Sequence, residues 1–277
     1  MPYILSTTYP SAHGLVAAEY ACGLAAALHC PVKFLHGYIV PVTFGEMPMP
    51  VMPADDARTL AAGQMDAAME KLRARFPDAV VSSDVVYGDL ADVLNEAADE
   101  DQPLLTIIGN DEDVDMEGWI GTHARHMLRD AGHPVLAVPP TAVYHRPEHI
   151  CLAVDSRSIA DGASISSLST LQVACNFRIT VLHILDEGEG PVLFAGTTLG
   201  RQLAGMGAAY IELSASGAVD GTIAAYAASE GMDWLAIIPH QYGFLEGLFH
   251  RSHTAHMLHL AHLPILALPE GRLRADA

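Results

Sequence analysis

The sequence predicts an α/β protein of two tandem domains, each an open, mainly parallel five-stranded sheet with helices on both faces. Three observations carry that expectation. Residues 104–139 recur without a gap 130 positions later as residues 234–269, with Ile107, Ile108, His123, His126, Met127, Leu128, Ala131, Pro134, Leu136, Ala137 and Pro139 all repeated. Each copy reads as a short apolar run, a polar loop, a helical run and a second apolar run closed by proline. Before each copy, apolar runs alternate with segments of helical period, the pattern of a parallel sheet with helical crossovers. The join falls in TAVYHRPEH, residues 141–149, so the domains are expected over 1–140 and 148–270.

Composition narrows the function classes. Apolar residues make up 51% of the 277 and charged residues 17%, the balance of a compact globular chain. A net charge of −19 argues against a nucleic-acid or anionic-membrane surface, since both need clustered Lys and Arg. Cys22, Cys30, Cys151 and Cys175 show no C-x-x-C spacing and read as reduced thiols of a cytoplasmic protein. The start MPYILSTTYP lacks a basic leader, and no apolar run reaches membrane-spanning length.

In chain order, residues 3–6 form the first strand, and Ser11 is placed to cap a helix reaching about Leu28. Residues 32–39 are the second strand, apolar enough to be buried on both faces. Residues 40–53 carry four prolines and three methionines, and read as a mobile surface flap. Residues 55–76 have helical period, 80–87 are a third strand, and Gly88-Asp89 turns the chain into a helix through Asp99. In the second half, residues 150–155 align with 3–8 at an offset of 147, which also sets Leu182-His183 on Leu35-His36. The later offset of 130 leaves this half 17 residues short, about the flap plus a few residues. Helices are expected over 161–175, 197–207 and 218–230, and strands over 208–214, 234–239 and 264–268.

Ligands of open α/β sheets bind beyond the carboxyl ends of the strands, where the strand order switches. That singles out residues 7–11, 37–40 and 109–122 with their counterparts. Gly121-Thr122 precedes the helix carrying His126, an arrangement of free amides and a hydroxyl that suits an anion. Gly109 would admit a ligand close to the backbone. The same loop carries Asp111, Glu112, Asp113, Asp115 and Glu117, which repel a phosphate unless a divalent cation intervenes. The second loop instead offers His240, His250, Arg251, Ser252 and His253.

As a set these features resemble a tandem universal stress protein, two UspA-type domains covering nearly all of the chain. The likeness rests on the turn at Thr8 and Asp155, Leu35-His36 and Leu182-His183, Gly88-Asp89, and the II-x…helix…P-x-LA-x-P ending. The resemblance implies a flavodoxin/Rossmann-like fold of the adenine-nucleotide α-hydrolase kind. It implies that residues 134–138 and 264–268 pair the domains into an internal pseudo-dimer, with a homodimer of whole chains also open. Nucleotide-binding members place an Asp after the first strand and a loop G-x-x-G-x9-G-[S/T]. Here Thr8 holds the Asp position in one half and Asp155 in the other, and Glu112 replaces the middle glycine. Of the second loop only Ser252 survives, behind Arg251. The resemblance therefore implies a split, degenerate site for ATP or another adenine nucleotide with Mg. Its candidate residues are Thr8, Gly37, Gly109, Gly121 and Thr122 in one half, with Asp155, Ile184, Arg251 and Ser252 in the other.

His123, His126, His253 and His256 have helical metal-ligand spacings, but solvated or hydrogen-bonded histidines are the expectation. The sequence shows no G-x-S-x-G, Walker A, G-x-G-x-x-G or H-E-x-x-H motif, so no catalytic residue is expected. A non-catalytic regulatory binder of a small ligand or protein partner is the leading reading. A cation-assisted ATPase and a histidine-based metal binder are its alternatives.

Overall fold

The structure, a computed structural model, describes residues 2–7, 12–40, 52–109, 122–130, 132–155, 159, 165–185, 193–214, 219–239 and 262–269. The first half contributes β1 (Ile4–Thr7), α1 (Ala12–Leu28), β2 (Val32–Tyr38), α2 (Ala54–Arg75), β3 (Val81–Tyr87), α3 (Leu90–Asp101), β4 (Leu105–Gly109), α4 (Thr122–Asp130) and β5 (Val135–Val138). The second contributes β6 (His149–Val154), α5 (Ser166–Cys175), β7 (Arg178–Leu185), α6 (Thr198–Gly205), β8 (Ala209–Ser214), α7 (Val219–Ser229), β9 (Trp234–Ile237) and β10 (Ile265–Ala267). A single 3-10 turn, Phe194–Gly196, precedes α6.

All ten strands lie in one sheet, in the order β3-β2-β1-β4-β5-β10-β9-β6-β7-β8. Each half is parallel throughout, and β5 meets β10 antiparallel with Leu136 opposite Leu266. The junction expected between residues 134–138 and 264–268 is thus the middle of a continuous sheet. One apolar cluster joins α1, α2 and α5 to one face, and the other joins α3, α4 and α7 to the opposite face.

Local signals set the element ends. Gly88 takes φ +144°, which a side chain would strain, and Asp89 then caps α3 by accepting the Ala91 N–H at 2.9 Å. Thr197 caps α6 the same way, accepting the Gly200 N–H at 2.9 Å. Residues 141–148 do more than link. Tyr144 packs edge-on to Tyr20 of α1 at 5.1 Å, and Arg146 donates to the last carbonyls of α5.

Four expectations need correction. The second strand stops at Tyr38, where its pairing with β3 ends opposite Tyr87, and Ile39 beyond it is exposed. The shortening of the second half is not mainly a lost flap, for α2 has 22 residues and its counterpart α6 has 8. The Pro/Met stretch itself lies mostly outside the described residues. Residues 161–164 also lie outside them; Ile165 caps a helix that begins at Ser166, not at the expected 161.

The fourth correction concerns register. Ser6 pairs with Phe34 and Leu152 with Val181, so with Phe34 matched to Val181, Ser6 corresponds to Leu152. The first strands therefore match at an offset of 146, with Thr7 corresponding to Ala153; the expected equivalence of Thr8 and Asp155 lies outside the described residues. The same reasoning matches Ile107 to Ala236, an offset of 129. Burial agrees, since Ile4 and Ile150 share one face and Leu5 and Cys151 the other. A one-residue slip in a strand moves every side chain to the opposite face, which the alignment by identity could not detect.

Candidate functional site

The strand order reverses direction between β1 and β4 in the first half and between β6 and β9 in the second. The carboxyl ends at those two seams are where sheets of this kind take ligands. In the first half the seam ends at Thr7 and Gly109, and in the second at Val154-Asp155 and Ile237. Gly109 is the last residue of β4 and pairs with Val138 of β5. Asp155 follows β6 directly, is buried, and accepts the Ile159 N–H on its carbonyl at 3.1 Å.

Thr122 opens α4, whose Ala124, Met127 and Leu128 are buried in the core while His126 is exposed. Thr8, Gly121, Arg251, Ser252, His253 and His256 lie outside the described residues, as does the side chain of His123. The structure therefore brings Gly109 to one seam and Asp155 to the other. Among the described residues no group of three His, Cys, Asp or Glu side chains is placed to hold a metal.

Gly37 and Ile184 have packing reasons for their identities. A Cβ on Gly37 would sit 3.0 Å from the Gly88 carbonyl oxygen and 3.0 Å from Leu90 Cα, so the turn into α3 requires the glycine. Ile184 is buried in the apolar cluster beneath α7. His36 and His183, the histidines of the two repeated Leu-His pairs, are both buried. His183 Nδ1 lies 3.0 Å from the Tyr210 hydroxyl, which donates to Glu212 at 3.0 Å, so the ring nitrogen is the donor in the first contact. Phe194 stacks on Tyr210 at 4.3 Å and closes that end of the sheet. Only the histidine of this network was apparent in the sequence, because Tyr210 and Glu212 become its neighbours through the β7–β8 register.

The thiols are poor nucleophiles. Burial pushes Cys22 and Cys151 up to about 12 and Cys175 up to about 11, with Glu19 adding to the rise at Cys22. Sequence reasoning missed a different group of residues. Thr7, at the end of β1, is 5% exposed and its hydroxyl has no hydrogen-bond partner among the described residues; the same holds for Thr106 and both ring nitrogens of His133. Only the positions were legible, since a lone threonine in an apolar run carries no signal that its partner is missing.

Residues 4–139 match the model of the Universal stress protein family. The fold of the whole chain is that of a universal stress protein from Archaeoglobus fulgidus DSM 4304. That structure is 13% identical and superposes at TM-score 0.68 over 97% of this chain and 98% of its own. A functionally unknown protein from Pseudomonas aeruginosa PAO1 is 19% identical, at TM-score 0.60 over 98% of this chain and 93% of its own. A universal stress protein from Archaeoglobus fulgidus in complex with dAMP is 19% identical and matches at TM-score 0.37 over 50% of this chain and 96% of its own. No curated protein matches the sequence. No helix among the described residues is long and apolar enough to cross a membrane.

Proposed function

We propose that this chain, whose residues 4–139 form a universal stress protein domain, is a stress-response protein that acts by binding, through a degenerate adenine-nucleotide site. The observation that carries the reading is the pair of seams, β1/β4 and β6/β9, each ending in a residue suited to a ligand. Gly109 ends the strand at one, and the buried Asp155 supplies a carboxylate at the other. The orphaned Thr7 hydroxyl is a further polar group at the first seam. Thr8, Gly121 and Thr122 would complete the first site; Arg251 and Ser252 would complete the second. Gly37 and Ile184 would shape the walls rather than touch the ligand.

The two units, 1–140 and 148–270, would act as an internal pair through β5 and β10 in a cytoplasmic protein with reduced thiols. Free, buried cysteines with raised pKa values support that compartment and offer no nucleophile. ATP or another adenine nucleotide, with Mg to offset the carboxylates of residues 111–117, is the ligand. Calorimetric titration with ATP and AMP, each with and without magnesium, tests the reading. Saturable heat reduced by Gly121→Val or Asp155→Ala supports it, and no heat under any condition rejects it. Phosphate release abolished by Asp113→Asn would replace it with the cation-assisted ATPase.

A further inference from the structure

Buried hydroxyls and ring nitrogens without partners are costly, so a group of them on one wall calls for a ligand. Among the described residues such atoms fall mostly in the first half: Tyr3 Oη, Thr7 Oγ1, Asn95 Oδ1, Thr106 Oγ1 and both nitrogens of His133. Three of the side chains are more than nine-tenths buried, Thr106 at 0% exposure, Thr7 at 5% and His133 at 7%.

The register places Tyr3, Thr7 and Thr106 on one face, and the bend holding His133 lies beside them because the Thr106 N–H donates to the Pro134 carbonyl at 3.0 Å. Thr106 pairs with Leu5 of β1 and with Val135 of β5. Leu5 and Val135 belong to the apolar cluster under α3 and α4, so Thr106 faces the same side. Tyr3 and Thr7 flank Leu5 at two residues on either side, and His133 lies two residues before Val135. Diagonal neighbours of that kind lie about 7–8 Å apart at Cα, a separation one or two waters can bridge. Asp99 of α3 stands at the lower end. A methyl on Gly132 would lie 3.9 Å from Asp99 Oδ1, which puts that carboxylate beside the turn holding His133.

The second half is a control within the same molecule. By the corrected register, Thr7 corresponds to Ala153, Thr106 to Leu235 and His133 to Leu263. All three are apolar, and Ile223, Ala224 and Ala227 of α7 complete a dry wall. Tyr3 corresponds to His149, whose Nε2 is satisfied by Thr180 at 2.8 Å.

We infer that a file of buried water runs along the β1–β4 seam on the α3–α4 side, from Tyr3 and His133 through Thr106 to Thr7. The ligand class is a small neutral hydrogen-bonding molecule, because Tyr3, Thr7 and Thr106 offer only uncharged donors and acceptors and the Asp99 carboxylate stands at the lower end alone. Its upper end lies at Thr7, at the carboxyl end of β1, and its existence does not depend on any nucleotide binding there.

Two measurements on the full chain test it. A high-resolution crystal structure should show ordered water within hydrogen-bonding distance of Thr106 Oγ1 and His133, and none at Leu235 and Leu263. Long-lived water-to-amide NOEs should appear along β1 and β4, be absent along β6 and β9, and fall at Thr106→Val, which conserves shape. Direct hydrogen bonds between these side chains, a dry wall, or water signals equal in both halves would overturn the inference.

Discussion

Burial holds the His133 imidazole below its ordinary range, with the Asp99 carboxylate as the opposing influence. On acidification the unfolded chain therefore takes up this proton before the folded one does. The stability His133 contributes is complete above the unfolded value near 6.5 and is lost as pH falls through it toward the folded value. His133→Leu, the residue of the second half, should flatten that dependence. Urea midpoints at pH 7.5 and pH 5 should diverge less in the variant than in the parent, and equal divergence would contradict the assignment. Gly37→Ala should cost about 1–3 kcal/mol, as overpacking does, because its methyl meets backbone rather than a movable side chain. In the sequence Gly37 reads as room for a ligand. The competing reason, the approach of Gly88 and Leu90, depends on strands β2 and β3 lying side by side.

Element identity was largely legible, because apolar runs of strand length alternate with helical period and the Gly88-Asp89 turn announces α3. What was not legible was the strand-by-strand offset. Matching residues by identity prefers Ile107 to Ile237, while the pleat matches Ile107 to Ala236. The sheet edges are also settled by structure alone. On β3 the even residues bond to β2, so the Val85 N–H faces the open edge, where the Asp84 carboxylate accepts it at 2.8 Å. That contact, and the charge itself, guard the edge against a further strand. Asp84→Val is expected to raise the weight-average mass in sedimentation equilibrium, and no increase would contradict the role. Asp89→Ala removes the α3 cap and should cost about 1 kcal/mol in chemical denaturation.

The halves are bound by more than the β5–β10 junction. Trp234 at the start of β9 donates from Nε1 to the Tyr20 hydroxyl of α1 at 2.6 Å, and both side chains are buried. Tyr20→Phe leaves that N–H without an acceptor and should cost about 1–3 kcal/mol. Because the two halves share this contact and one sheet, circular dichroism and fluorescence should report a single unfolding transition. Two separate transitions in the parent would contradict the coupling. The tandem architecture was legible from the repeat, whereas the candidate site was legible only in outline, as loop ends rather than as a set of contacts. Divergent loops on a retained framework are the reason, acidic in one copy and histidine-rich in the other. The central claim, binding at a degenerate adenine-nucleotide site without turnover, is met most directly by calorimetric titration of the full chain with Mg-ATP, followed by assay for released phosphate. The expected result is saturable heat for no more than one weak site per chain, with the nucleotide recovered intact. Two equivalent tight sites, no heat at all, or steady release of phosphate would contradict it.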